Sequence, residues 1–335
     1  MSSTSTRLNN PRVTYHTIDI ANLSEVESAM RAARPRTIFH VACPDSMVTL
    51  EVSIFHKVNV IGARNLIKAA EKVGTVHAFV NTSTSSVIHD NVSDLIDADE
   101  TLPVLQYPAQ KRVYTLTKAE AEAEILAANR KHGDSSMLTV SMRPATAFGE
   151  RDSICMGKIV STCRGGKARF QIGPGKNQYD FIYVGNLVDA HLLAAYALVR
   201  AYGKPATPKD KRVDGETFNV TNDERVLFWE FHRSISASVG IPISQREIKI
   251  VPRWLAVFMA IISEYSTWIR SWGTQQPPVT REAVRLTTIE RTMNGDKAKR
   301  VLGYKPKVSI HEGIERGGQW FMDEAAKTID TKKNV

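Results

Sequence analysis

Two residues in the middle of the chain have the spacing for proton transfer. Tyr114 and Lys118, in Tyr-Thr-Leu-Thr-Lys, are four apart and so lie on one helical face, one turn from each other. A phenol titrates near 10 in isolation and is a poor base at neutral pH. An ammonium beside it favours phenolate and lowers that value, which makes the pair a proton acceptor for an alcohol. About 30 residues earlier the run Thr82-Ser83-Thr84-Ser85-Ser86 supplies hydroxyls that can align an alcohol oxygen with the phenol. Three cysteines without a CxxC pair exclude a thiolate zinc site and a disulfide scaffold. Nine histidines with no HExxH leave no metal site to expect.

Those side chains need elements to hold them. The run 36–43 is compact and apolar, bounded by Pro35 and Pro44, and reads as a buried parallel strand. Residues 77–84 and 138–144 read the same way, and 13–20 read as a strand leading into a turn. Helices are expected at 23–33 after an Asn22 cap, over 51–73 up to Gly74, and over 108–133 from Pro108 to Gly133. The hydroxyl cluster thus falls at the C-terminal end of a parallel strand, where α/β proteins hold their ligands. Strands alternating with helices predict an α/β fold with a doubly wound parallel sheet. Beyond Gly149 the pattern loosens into a strand and helix over 180–199, a short strand at 216–222 and a mostly helical end. The boundaries expected are 1–165 for a dinucleotide-binding domain and 166–335 for a smaller substrate lobe, with 179–222 partly returning to the sheet.

Strand, hydroxyls, loop and YxxxK helix together resemble the extended short-chain dehydrogenase/reductases. His40-Val41-Ala42-Cys43 resembles the motif on their fourth strand, and Asn59 in VNVIGARNL resembles the Asn that orders their active-site backbone. Asp19-Ile20 resembles their adenine-contacting pair, and Arg143-Pro144 with Phe148-Gly149 their nicotinamide-side segment. The segments 180–195, 215–231 and 296–321 resemble the 3β-hydroxysteroid dehydrogenase family, closest to its branch that oxidises and decarboxylates sterol 4α-carboxylates. The resemblance implies a Rossmann-type fold and NAD or NADP as cofactor. Tyr114, Lys118, Thr84 and Asn59 become catalytic, with Ser83 or Ser85 as the alternative hydroxyl one residue away. Asp19, Ile20, His40, Ala42, Tyr114, Lys118 and Pro144 become the cofactor contacts. Lys118 is expected to lower the phenol's pKa and to hold the ribose.

The chain departs from that family in one respect. Its 19 glycines begin only at Gly62, and it contains no G-x-x-G-x-x-G turn to receive a pyrophosphate. The expectation is therefore a fold lacking its first two strands, with strand 36–42 as an exposed apolar edge. The implied activity is oxidation of the 3β-hydroxyl of a sterol or triterpenoid, with C4 decarboxylation. A nucleotide-sugar epimerase, another reductase of the superfamily and a non-catalytic remnant stand as alternatives.

The stretch 251–272 carries three of the five tryptophans around an apolar run broken by Arg253, Glu264 and Arg270. It reads either as a helix at a membrane interface or as a buried lid over a greasy substrate. The net charge of +9, 44 Lys+Arg against 35 Asp+Glu, is diffuse. It favours an anionic surface over nucleic acid, and no nucleic-acid partner is expected. The polar start, with no apolar signal segment, predicts a protein that is not secreted, in the cytoplasm or at the cytoplasmic face of the endoplasmic reticulum. A homodimer is among the expected assemblies. Cys43 is expected as a small buried residue, and Asp180 and Asp189 as structural.

Overall fold

The computed structural model describes residues 10–45, 51–272 and 274–333; the polar first nine residues lie outside it. Eleven strands and ten α-helices follow in order: α1 (Leu23–Ala33), β1 (Thr37–His40), α2 (Val52–Phe55), α3 (Gly62–Val73), β2 (Ala78–Thr82), β3 (Leu95–Ala98), α4 (Val113–Ala127), β4 (Leu138–Pro144), β5 (Thr146–Phe148), α5 (Met156–Arg164), β6 (Phe170–Ile172), β7 (Gln178–Tyr183), α6 (Val184–Ala201), β8 (Thr217–Val220), β9 (Arg225–Leu227), α7 (Phe228–Ser238), β10 (Lys249–Val251), α8 (Arg253–Ser271), α9 (Arg281–Leu286), β11 (Arg291–Met293) and α10 (Ile310–Lys333). A π-helical stretch, His56–Ile61, joins α2 to α3.

The first sheet has the order β1-β2-β4-β8, all parallel, with Thr37 opposite Ala78 and Ala78 opposite Leu138. Helices α1, α3 and α4 cover one face and α6 the other. Period-two alternation sorts the side chains between those layers. Ala78, Val80, Leu138, Val140 and Met142 face α6, while Phe79 joins Ile38, Ile67 and Ile125 beneath α1, α3 and α4. The α4 side also buries polar groups. Asn81 Nδ2 donates to Ser141 Oγ at 2.9 Å, and Ser141 Oγ donates to Glu122 at 3.0 Å. Glu122 in turn accepts from Arg143 Nε at 3.1 Å. A second sheet, β3-β11-β7-β5 with β9 antiparallel to β7, and the pair β10-β6 build the other side of the molecule.

The 138–144 strand falls on its expected bounds, and α3 stops where Gly74 takes φ 68° and closes the helix on Ala70. Other expectations need correction. Residues 13–20 are not a strand: Ile18 and Ile20 pack on the α1–α3 core, and β1 pairs only with β2 among the described residues. Without a ladder partner the backbone has no reason to become a strand. Nor does α4 begin at Pro108. It starts at Val113, after Arg112 in extended backbone (φ −76°, ψ 120°), and Gln110 Oε1 accepts the amides of Lys111 and Arg112 before it, each at 2.8 Å. It ends at Ala127 rather than at Gly133. As the free edge strand, β1 leaves Phe39 41% exposed, with Val41 just beyond it exposed as well.

Candidate active site

Tyr114 sits in the first turn of α4, Lys118 in the second and Glu122 in the third, one above another. The turn opposite them follows β2. Ser83 N–H extends the ladder by donating to Met142 O, and Thr84 then opens a short 3₁₀ turn, Ser85–Ile88. Thr84 Oγ1 accepts the Ser86 amide at 3.2 Å, which fixes its side chain. From that position the Thr84 hydroxyl lies near enough to the Tyr114 phenol to favour its ionised form. The structure therefore brings Tyr114, Lys118 and Thr84 together at the C-terminal end of the parallel sheet.

The electrostatics differ from expectation. Burial pushes the Tyr114 phenol up to about 12, and the Cys43 thiolate adds to it. The Thr84 hydroxyl and the charges of Arg112 and Arg291 pull it back. Lys118 Nζ donates to the backbone carbonyl of Thr82. Lys118 is itself held below the usual lysine range by burial, against opposing pulls from Cys43 and Glu122.

Asn59 sits in the π-helical stretch, buried, and donates to Thr117 Oγ1 at 3.0 Å. Thr117 Oγ1 also touches the carbonyls of Val113 and Tyr114, so Asn59 braces the first turn of α4. Asn59 Oδ1 and Ser83 Oγ are buried without a hydrogen-bond partner. His40, buried on β1, is driven down to about 4 by burial and by the Lys118 charge, and is neutral near pH 7. Ala42 is exposed beyond the end of β1, and Pro144 is buried opposite Val220. Cys43 is exposed, which corrects its reading as a buried residue. Asp19 is exposed and accepts the Ala21 amide, while Ile20 packs over Gly62 and its carbonyl accepts from Asn65.

The unpartnered Asn59 Oδ1, an acceptor, and the unpartnered Ser83 hydroxyl could serve the nicotinamide-ribose end of a cofactor. Lys118, His40 and Ala42 would hold it. The pyrophosphate has no counterpart among these residues, and β1 leads into no glycine turn.

Two arginines whose charges act on the phenol escaped the sequence reading. Arg112 lies with its guanidinium carbon 5.8 Å from the Tyr114 ring centroid and pairs with Glu282 at 3.2 Å. Arg291, buried on β11, donates to Ser85 Oγ at 3.0 Å, Ser86 Oγ at 2.9 Å and Tyr179 Oη at 3.2 Å, while its Nε has no partner. Among the described residues no carboxylate pairs with it. Asp180 and Asp189 are structural as expected. Asp180 accepts the Met293 amide at 2.6 Å, and Asp189 pairs with Lys307 at 2.9 Å.

Residues 1–250 match the model of the 3-beta hydroxysteroid dehydrogenase/isomerase family. The chain belongs to this family. As a member of it, the chain is similar to the 3beta-hydroxysteroid-dehydrogenase/decarboxylase isoform 1 of Arabidopsis thaliana, 37% identical over 97% of this chain and 72% of that protein. It is similar to the decarboxylating sterol-4-alpha-carboxylate 3-dehydrogenase of Saccharomyces cerevisiae, 34% identical over 93% of this chain and 84% of that one. Among solved structures, dTDP-glucose 4,6-dehydratase of Bacillus anthracis, in complex with NAD, superposes with a TM-score of 0.65. It is 18% identical and covers 95% of this chain and 82% of its own, a likeness of fold. The family member is thus a Rossmann-type α/β oxidoreductase. No helix among its described residues is long and apolar enough to cross a membrane.

Proposed function

We propose that this chain oxidises the 3β-hydroxyl of a sterol or triterpenoid bearing a C4 carboxylate, with NAD or NADP as cofactor, and that loss of the carboxylate follows. The observation that carries the reading is the Tyr114 phenol held against the Thr84 hydroxyl above Lys118 in a 3β-hydroxysteroid dehydrogenase family chain. The relatives named as decarboxylating dehydrogenases support the substrate class.

Thr84 positions the substrate oxygen, and Tyr114 Oη takes its proton. Bound nicotinamide supplies the hydride acceptor. Lys118, tied to Thr82 O, holds the ribose side of the site. The oxidation leaves a 3-ketone β to the C4 carboxylate. The C4–carboxylate bond then breaks, CO₂ departs, and its electron pair delocalises into the carbonyl as an enolate, which is reprotonated at C4. Arg291 suits the carboxylate: a buried guanidinium with only neutral partners and a free Nε is a charge-assisted site for an anion. Its charge also favours the Tyr114 phenolate. The surface of an intracellular membrane, at the cytoplasmic face of the endoplasmic reticulum, is the setting this substrate fits, and a homodimer is the assembly we expect.

The test is turnover of a 4-carboxysterol, followed by reduced-nicotinamide absorbance and CO₂ release. Arg291→Gln is expected to raise KM for the 4-carboxysterol by about 10–100-fold, the range of a lost charge-assisted contact, and to move the rise of kcat to higher pH. A 3β-hydroxysteroid without the carboxylate should show the pH effect but not the KM effect. Equal use of both substrates by both proteins would remove the carboxylate from the proposal.

A further inference from the structure

Helix α6 meets the C-terminal end of β2 from the face of the sheet opposite α4, and it meets it with a histidine. Ala190, Ala194, Ala195 and Leu198 of α6 pack into the core against β2 and β4. Beside them sits His191, 7% exposed, its imidazole held below the usual histidine range by burial. A leucine would fill that place without the cost of desolvating two ring nitrogens.

The two nitrogens have fixed roles in the neutral ring. Nδ1 lies 2.8 Å from the Leu187 carbonyl, which only accepts, so Nδ1 carries the proton. Nε2 is then the acceptor, and the Thr82 hydroxyl at 2.7 Å donates to it. Both residues line an apolar groove of about 280 Å³ with Phe39, Val41 and Leu187. Apolar surroundings strengthen the bond between them.

Thr82 ends β2 and is held from three sides. Period-two alternation turns its side chain to the α6 face, as it does that of Val80. The following amide, Ser83 N–H, donates to Met142 O of β4 at 2.8 Å. The Thr82 carbonyl, in the same peptide group, accepts from Lys118 Nζ of α4. On its other side β1 pairs only as far as His40 opposite Asn81, so no ladder restrains Thr82 there. The ammonium sits where this one peptide group puts its oxygen, and Thr84, two residues on, starts from the same anchor.

We propose that His191 is a positioning residue for the Tyr114 site: through the Thr82 hydroxyl it fixes the peptide group that anchors the Lys118 ammonium. It acts across the sheet, from a helix that carries none of the site residues named above. The inference rests on the reading of Tyr114 and Lys118 as the reacting end of a dehydrogenase site and adds a residue to it.

The experiment compares Thr82→Val, His191→Leu and His191→Gln with the parent full chain. Valine keeps the shape of threonine, leucine fills the place of the imidazole, and glutamine Oε1 restores an acceptor where Nε2 stood. The first readout needs no turnover. It is acetylation of Lys118 by acetic anhydride, followed by peptide mass spectrometry with exposed Lys72 as the internal reference. Lys118 should react about three- to tenfold faster in Thr82→Val and His191→Leu, the range set by one lost hydrogen bond, and near the parent rate in His191→Gln. The second readout is oxidation of the 4-carboxysterol. There kcat should fall by the same factor in the first two variants with KM unchanged, and His191→Gln should restore it. Parent labelling rates in both Thr82→Val and His191→Leu would overturn the proposal. So would faster labelling that His191→Gln fails to reverse, the mark of a packing role, or a parent kcat in a variant whose Lys118 labels faster. A parent that oxidises no 3β-hydroxysteroid, while Lys118 labelling responds as expected, would sink the reading of the function and leave the tether standing.

Discussion

Helices α4 and α8 both break the rule that polar residues face water and large apolar ones face the core, and they break it in opposite directions. In α4, Thr115, Thr117, Lys118 and Glu122 are buried. In α8 only two alanines are, while aromatic rings stand in solvent. Burying a charge costs free energy unless it is paired, and exposing a ring forgoes the gain of burying it. A fold under selection for stability alone would tolerate neither. The difference teaches that place in the fold overrides residue type: α4 buries polar groups against the sheet and the turn after β2, and α8 turns its alanines inward and its rings outward.

The comparison breaks most sharply at Tyr114. Tyr114→Phe keeps the ring, including its edge contact with Phe55 at 6.2 Å between centroids, and removes only the acid–base oxygen. Turnover is expected to fall by about 10²–10⁴-fold with the melting temperature unchanged. In the parent, the phenol lies at about 12, so the phenolate fraction and the oxidation rate should climb about tenfold per pH unit through neutral and mildly alkaline pH. A flat pH profile, or full activity in Tyr114→Phe, would take the chemistry away from α4.

Next is Glu122. It accepts from Arg143 and Ser141 in a buried network, so Glu122→Ala strands a guanidinium between α4 and β4. Chemical denaturation should show a loss of about 3–5 kcal/mol. Glu122→Gln, which keeps one acceptor, should lose less. If both variants unfold like the parent, the polar face of α4 is not what holds it to the sheet.

A smaller and pH-dependent effect belongs to Asp180. Burial raises its carboxyl from 3.8 to about 6, against the pull of the Met293 amide it accepts. The folded state therefore holds this proton more tightly than the unfolded one. The stabilisation is fully present below about pH 3.8 and is lost as pH rises through about 6. Asp180→Asn keeps an acceptor and abolishes the titration. The stability gap between the variant and the parent should change by about 3 kcal/mol between pH 3.5 and 7 in denaturation series, in the variant's favour at the higher pH. A constant gap would show that Asp180 is not the proton carrier.

Much of α4's role was legible because it is local. An i, i+4 pair is fixed by helix geometry, and 138–144 was readable as a strand that Pro144 stops. The hydroxyl cluster followed from its place after a strand, and Thr84 within it from the family resemblance. What failed depended on partners distant in sequence. Residues 13–20 have strand-like composition, yet a strand exists only where another offers a ladder. The i, i+4 spacing puts Lys118 beside the phenol, but the contact of its Nζ with the Thr82 carbonyl of another element is not readable from that spacing. Arg291 comes from a strand of three residues far downstream, too short to show a period, and no local pattern points from it to Tyr114. For α8 the tryptophans and arginines were visible, but which face is buried was not, and the structure gives that face to Ala256 and Ala260.

The smallest effect sharpens the contrast from the side of α8. Phe258 is 55% exposed on the outer face of α8, whereas Phe79 and Phe148 are fully buried. Phe258→Ser in water removes little packing and leaves no cavity, so stability should change by less than about 0.5 kcal/mol. Phe79→Ala, by contrast, should cost about 3–5 kcal/mol. Denaturation of both variants in parallel checks the ratio. A cost at Phe258 close to that at Phe79 would mean that this face is already covered within the protein in solution, and α8 would then obey the same burial rule as the rest of the fold.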